Sequence, residues 1–504
     1  MSLHAQLSPE AEARLEAQKR NSVITSVVIS LLAIALVILV LLFILLPSLL
    51  VSSPSLVTYQ AGMPGDDKME RKEVTDQIQR KPSAPSSSMA KVIASSTPSP
   101  TAVPVPETDA EPNLDFGSGD DFGAGWGSGG DGGGGGFGNI PAVMRKRCSK
   151  EDRLTRLKNN GGSEKCEDAV VATLDWLQEK QNKDGSWCGN RRVAMTGLAL
   201  LTYLGHCETP LSEKYGETVQ AAIVYLIDVA TKQKGKLADN LQDNHWPYEH
   251  AIGTYAIAEA YTFCKQLSIN LPGLHDAVRD AGQWILDNQS TKGSWDYAYA
   301  ENEAAGGRSS GGDNSIGCWQ LQALKACKTT GIEYRNMTAV VRKGLAYIED
   351  SQSQSGAINY AGQGTILKVS SLAGAGALVY QMFDKTSHSV PRKACRYVGS
   401  DCPFKWDTAS CDLYALYYNA QAMINYGGKT WLKYNAMFMP EVLNNQNKDG
   451  SFADVGANAA GEIIAVAPMF KGGGDVSGHY RTCLSALTLE VYYRFLPGTG
   501  QKTK

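Results

Sequence analysis

Apolar side chains at Val170, Leu174 and Leu177 recur at i, i+4 and i+7, the spacing that lines one face of an α-helix, and the stripe stops at Gln181 in the phrase DWLQEKQNKDGSW. The phrase returns as QWILDNQSTKGSW around Gln289, AYIEDSQSQSGAI around Gln352 and PEVLNNQNKDGSF around Gln446. Each time it reads glutamine, three residues, glycine, one residue, then a large apolar side chain. A weaker copy, YLIDVATKQKGKL, puts Gly235 in register with Gly185, Gly293, Gly356 and Gly450, and the widest interval leaves room for a degenerate copy between Val390 and Trp406. Glycine at these positions marks the end of a helix. After each turn the pattern predicts a second helix, more apolar and richer in small residues, opening near Ala194, Ala251, Ile316, Ser370, Asp412 and Cys483.

A helix that is apolar nearly all round has to be covered on every side, whereas the first helices, with their Glu, Lys and Gln, need only one buried stripe. That asymmetry predicts two concentric layers. Hairpins of this kind bury their faces by stacking on their neighbours, and closing the row into a ring removes the need for capping repeats. The expected fold is all-α, an (α/α)6 toroid of helical hairpins over residues 167–497, with a lead-in at 141–166 and a tail at 498–504.

Upstream, Val23 to Val51 is an uninterrupted apolar run, and no charge lies between Arg20 and Asp66. The run exceeds the roughly 20 residues that cross a bilayer core and is too long for the apolar core of a signal peptide. Lys19 and Arg20 stand directly before it, which predicts a single-pass membrane protein with residues 1–22 cytoplasmic and the toroid on the periplasmic or extracytoplasmic side. Residues 52–140 carry KPSAPSSSMA, STPSPTAVPVPET and GWGSGGDGGGGGFG and are expected to form a disordered Pro/Ser/Gly-rich linker.

The Gln-x-x-x-Gly-x-Trp phrase, repeated ahead of apolar helices over roughly residues 162–497, resembles the QW-type repeat of the terpenoid cyclase and protein prenyltransferase superfamily. The anchored arrangement is similar to bacterial membrane-anchored prenyltransferase/squalene oxidase repeat proteins. The resemblance implies that the glutamine amide satisfies helix-end backbone groups while the indole packs over it. Gln181, Gly185, Trp187, Gln289, Gly293, Trp295, Gln352, Gly356, Gln446 and Gly450 are then structural.

The resemblance also implies a central cavity onto whose mouth the inner-helix N-termini open, an end that favours anions and polar ligands. The polar candidates there are Glu249, His250, Asp313, Asp412, His479 and Arg481. Competing readings make Asp313, Ser315 and Asp412 helix N-caps, Glu249 and His250 a solvated loop pair, and His479 a satisfied surface histidine. Tyr255, Trp319, Tyr414, Tyr417 and Tyr418 are candidates for an aromatic cavity wall, or for ordinary packing at helical spacing.

The enzyme motifs of that superfamily are incomplete. The Asp-x-Asp-Asp acid of squalene cyclases meets only Asp313 in GDNSIGCW, and a lone carboxyl is poorly equipped to protonate an alkene. Prenyltransferases bind zinc through Asp-x-Cys and a distant histidine; His479 in HYRTCLSAL and Cys318 fit, but Ile316 stands where the aspartate belongs, so neither metal nor cofactor is expected. The Cys-Gly-Glu-Gln thioester has no match. The expected function is binding of an amphipathic ligand, an isoprenoid, lipid or peptide, in the central cavity, with catalysis open; the alternative is a non-catalytic envelope scaffold or protein-interaction module.

Net charge and cysteines sharpen this only slightly. With 48 basic and 51 acidic residues among 504, the formal charge is -3 and offers no field for a phosphate backbone, so nucleic acid is not an expected partner. The membrane is an expected partner through residues 23–51, and protein partners are not specified by the sequence. Eleven cysteines cannot all pair within one chain. Cys318 and Cys327, nine residues apart on one helix, stand roughly 13 Å from each other at about 1.5 Å rise per residue, too far to bridge. The candidate pairs lie within Cys395, Cys402 and Cys411, and between Cys148 and Cys166.

Overall fold

The computed structural model describes residues 147–297, 299, 312–361, 371–456, 466 and 468–494. Among them no helix is long and apolar enough to cross a membrane, and the 23–51 run and the 52–140 linker lie outside them. A short lead-in helix, α1 (Lys150–Asn159), comes first. Six helical hairpins follow among the described residues. Their first helices are α2 (Glu164–Lys180), α4 (Gly216–Lys232), α6 (Leu274–Asp287), α8 (Met337–Asp350), α10 (Ser389–Asp401) and α12 (Gly428–Leu443); their second helices are α3 (Arg192–Gly205), α5 (Trp246–Gln266), α7 (Asn314–Thr329), α9 (Ser371–Met382), α11 (Leu413–Tyr426) and α13 (Asp475–Leu489). One more turn, α14 (Val491–Arg494), closes the described chain.

The two sets differ as their sequences demand. In α3 every residue from Val193 to Gly205 is buried, whereas α6 buries only Leu274, Ala277, Val278, Ala281, Gly282, Ile285 and Leu286, one stripe. Each inner helix packs on the next in the order α3, α5, α7, α9, α11, α13, and α13 packs back on α3. The six make a closed cycle of contacts, outside which the first helices lie, α12 returning to α2.

The repeated glutamine joins one hairpin to the next. Gln181 donates its side-chain amide to the carbonyls of Gly185 at 3.0 Å and of Thr218 in α4 at 2.9 Å. Gln289 does the same to Gly293 and to Val340 in α8, both at 2.8 Å, and Gln352 to Gly356 at 3.3 Å and Val390 in α10 at 3.0 Å. Gln446 donates to Gly450 at 3.2 Å and to Ala169 in α2 at 2.7 Å, tying the last outer helix to the first. The indoles serve the helix ends instead, with Trp187 and Trp295 donating to the carbonyls of Leu177 and Ile285 in the last turns of α2 and α6, at 2.8 and 2.9 Å. Gly450 is required twice over. Its φ is +90°, and a Cβ there would overlap the Ala172 carbonyl of α2. Gly185, Gly293 and Gly356 meet main-chain carbonyls of α4, α8 and α10 in the same way.

Two inner helices begin earlier than the apolar pattern suggests. α5 opens at Trp246, with Pro247 in the first turn where its missing N–H costs nothing, and α13 opens at Asp475. Glu249, His250, His479 and Arg481 are therefore inside helices rather than in front of them. The disulfide also differs from expectation. Cys148 is bonded to Cys207, with Cα atoms 4.9 Å apart, because the lead-in crosses the C-terminal end of α3; Cys166 is buried beside Ser163 instead. Cys395 and Cys411 are buried thiols.

Changing Gln446 to Ala removes one donor from each of the Ala169 and Gly450 carbonyls, the latter keeping the Thr173 hydroxyl at 2.9 Å, and we expect a loss of about 0.5–1.5 kcal/mol in chemical denaturation. Gly450→Ala should cost more than Gln446→Ala, because it adds a strained φ and the overlap with α2. A Gln446→Ala protein as stable as wild type would mean that this joint does not hold the cycle closed.

Candidate functional site

The candidate residues separate into four places. At the start of α7, Asp313 caps the helix by accepting the Ser315 N–H at 2.7 Å, and its carboxylate also takes a short bond from the Ser315 hydroxyl. Tyr248 of α5 meets that hydroxyl at 2.6 Å, Tyr297 meets Tyr248 at 3.4 Å, and Tyr414 of α11 donates to the Ser315 carbonyl at 3.0 Å. Burial raises the Asp313 carboxyl above its ordinary value despite the bonds from Ser315. A carboxylate, a hydroxyl and three half-buried phenols thus converge from three inner helices and the segment ahead of α7. Asp412, at the start of α11, caps that helix through Ala415 at 2.9 Å, and burial raises it as well.

Glu249 and His250 lie in the first turn of α5 and point to different partners. The Asp239 N–H donates to the Glu249 carboxylate at 3.3 Å, and burial pushes this carboxyl up to about 7. His250 accepts the Leu237 N–H on Nδ1 at 3.0 Å and is pushed down to about 3 by burial, so it is a neutral core histidine. Neither is a solvated loop residue: Glu249 is 2% exposed and His250 0%.

His479 is likewise buried and lowered to about 4, its Nε2 donating to the Met195 carbonyl at 2.9 Å with Cys483 Sγ 3.4 Å away. It is a core histidine, not the surface one that the sequence allows. Arg481 donates to the carbonyls of Phe452 and Phe470 at 3.0 and 2.7 Å and pins the segments ahead of α13. Among the described residues no three His, Cys, Asp or Glu side chains are grouped to hold a metal, and burial raises the enclosed Cys318 thiol, which would resist becoming the thiolate that zinc requires.

The aromatic candidates occupy the interior. α7 and α11 are two places apart in the cycle, with α9 between them, and their aromatic side chains meet. Trp319 stacks on Tyr417 with centroids 5.6 Å apart and meets Tyr418 edge-on at 5.7 Å; Gln322 donates to the Tyr418 hydroxyl at 3.0 Å. Trp319 is 1% exposed and both tyrosines 0%. Tyr414 meets Tyr418 edge-on, 5.0 Å away. Tyr255 lies under the Arg494 guanidinium, 5.7 Å from its ring. A cleft of about 260 Å³ opens beside Arg192, Tyr225 and Lys232, and none of the candidates lines it.

Arg494 belongs to a buried ionic group that sequence reasoning misses. Glu259 of α5 receives Arg147 at 2.6 Å and Arg494 at 3.3 Å; burial alone would raise its carboxyl, but the two guanidiniums outweigh it and hold it below the usual value. Nearby, Arg153 and His206 flank Glu167 at 2.8 and 3.1 Å; against the opposing pull of burial, His206 and then Arg153 bring Glu167 down to about 2. A signal exists for Glu259, a lone charge in the apolar run AIAEAY. None exists for Arg147.

No protein-family model and no curated protein matches the chain. Among solved structures, it is similar to a variant of the type II terpene cyclase MstE from Scytonema in complex with its substrate geranylgeranyl dihydroxybenzoate, at a TM-score of 0.41 and 11% identity over 69% of this chain and 100% of that one. The same cyclase without ligand gives 0.41 and 13% over 66% and 98%, and a protein from Actinoplanes gives 0.38 and 13% over 65% and 99%. With scores this low, the architecture rests on this chain's own contacts.

Glu249 sets a testable pH dependence. Its folded pKa, about 7, lies above the 4.5 of an ordinary glutamate, so its contribution favours the folded state below 4.5 and is lost as pH rises through 7. His250 and His479 slope the other way, losing stability on acidification below 6.5. Subtracting a Glu249→Gln stability profile from that of wild type isolates the first effect. The difference should change between pH 4.5 and 7, and parallel profiles would contradict it.

Proposed function

We propose that the chain is a membrane-tethered (α/α)6 toroid built on QW-type repeats, acting as a non-catalytic scaffold or protein-interaction module of the cell envelope. The observation that carries this reading is the burial of the aromatic candidates: Trp319 stacks on Tyr417 and Gln322 bonds to Tyr418, so the side chains expected to line a cavity are packed against one another. The chemistry of the candidates supports it. Asp313 accepts bonds from its own helix start, His479 is neutral and committed to Met195, and Arg481 clamps backbone. None is a free acid, base or metal ligand aimed at open space. The apolar run 23–51 supplies the anchor, the linker 52–140 supplies reach, and a disulfide between Cys148 and Cys207 suits an oxidising compartment outside the cytoplasm.

A second reading has its own support. Tyr248, Tyr297, Ser315 and Asp313 form a half-buried polar cluster where inner helices begin, and an isoprenoid, lipid or peptide with a polar head would find hydrogen-bond partners there.

The two are separated by purifying the full-length protein from membranes in mild detergent after chemical cross-linking, with native mass spectrometry on a parallel uncross-linked sample. The scaffold reading expects the same partner proteins in independent preparations, unchanged by Asp313→Asn, and a native mass without added ligand. A stoichiometric lipid lost on Asp313→Asn, with no reproducible partner, would replace it with the second reading.

A further inference from the structure

The lead-in carries two buried arginines on a weakly packed helix. α1 has ten residues, short of the roughly 12–15 that make an isolated helix even marginal in water, and Leu157 is its one fully buried apolar side chain. What seats it are Arg147 on Glu259 and over the Phe263 ring, Arg153 on Glu167, on the Arg147 carbonyl at 2.7 Å and over the Tyr493 ring, and the Cys148–Cys207 disulfide, while Trp431 and Asn435 of α12 hold the Asn160 and Gly161 carbonyls of the turn that follows. Buried ion pairs of this kind gain in attraction little more than they lose in desolvation. The covalent bond, adjacent to Arg147, therefore contributes much of the hold by keeping that guanidinium at high effective concentration over its acceptor.

The acceptors are unusual in each having a second partner from the ring itself. Glu259 keeps Arg494 if Arg147 leaves, and Glu167 keeps His206 if Arg153 leaves. Glu490, the remaining carboxyl of the group, sits 4.0 Å from Arg494 and is raised well above its ordinary value by burial. Withdrawing the lead-in thus leaves Glu259 and Glu167 one side-chain partner each from the ring. An arm whose acceptors each keep a partner in the ring, with one fully buried apolar side chain in its helix and one covalent bond to the ring, is suited to release.

We propose that Cys148–Cys207 is a redox latch, whose reduction frees the lead-in from the ring while the six hairpins stay folded. A dithiol reductant supplies the electrons. Its thiolate attacks Cys148 Sγ, the more exposed of the two sulfurs, Cys207 leaves and takes a proton, and the second thiol of the reductant resolves the mixed disulfide to release Cys148 as a thiol. Two electrons and two protons pass to the protein, and the reductant becomes a disulfide. The latch does not depend on the scaffold reading.

The test uses the full-length protein in detergent, oxidised or treated with dithiothreitol, with complete reduction verified by thiol counting. Limited trypsin digestion mapped by mass spectrometry reads cleavage after Arg147 and Arg153, and amide exchange reads α1 against α7 and α11. The latch predicts at least a tenfold rise in both cleavages and in α1 exchange on reduction, with α7 and α11 unchanged, and a Cys148→Ser protein behaving as reduced under either condition. Because reduction of the native protein gives the answer directly, failure of that variant to fold does not decide it. An arm still protected after full reduction, or α7 and α11 losing protection together with α1, would overturn the proposal.

Discussion

One side-chain amide serving two main-chain carbonyls on two different hairpins is the interaction from which the rest of this structure follows. A helical hairpin cannot cover its own apolar face, and each turn that joins an outer helix to an inner one leaves carbonyls in need of donors. Gln181, Gln289, Gln352 and Gln446 meet both needs at once, because the carbonyl each reaches for beyond its own turn lies in the next outer helix. That reach is short, so the neighbouring helix must come close, and glycine is the residue that lets it. The last of these bonds, from Gln446 to Ala169, converts a row of hairpins into a closed one.

Closure fixes what the interior must be. Six inner helices facing one another enclose a space that is either left open for a ligand or filled from within. Here the aromatic side chains of α7 and α11 meet, Trp319 stacked on Tyr417, with Tyr418 and Tyr414 joining edge-on. Near the C-terminal ends of α3 and α5, filling is ionic: Glu259 sits between two guanidiniums, one from the ring and one from the lead-in. Fully buried charges are tolerated because each has a partner of opposite sign, and burial raises the Glu490 carboxyl well above its ordinary value, toward its neutral form.

Local signals are readable in the sequence and distant ones are not. The Gln-to-Gly spacing and the contrast between one-striped and all-apolar helices are properties of contiguous segments, and they lead to six hairpins in two layers. The N-caps at Asp313 and Asp412 are readable for the same reason. By contrast, Cys148 reaches Cys207 across 59 positions, and Arg147 reaches Glu259 across 112; no local pattern encodes either meeting. Sequence places the starts of α5 and α13 late because polar residues in their first turns interrupt the apolar pattern without ending the helix. Reading Glu249 and His250 as a solvated loop pair and His479 as a surface histidine follows from that misplacement, and the fold buries all three.

Burial of the aromatic candidates depends on Trp319 and Tyr417 packing against each other, and a double-mutant cycle measures that contact directly. Trp319→Ala, Tyr417→Ala and the double variant would be compared by chemical denaturation. A buried aromatic pair predicts a coupling energy of about 0.5–1.5 kcal/mol beyond the separate losses. Two substitutions that add to within a few tenths of a kcal/mol would mean that the rings do not meet, and would contradict this packing.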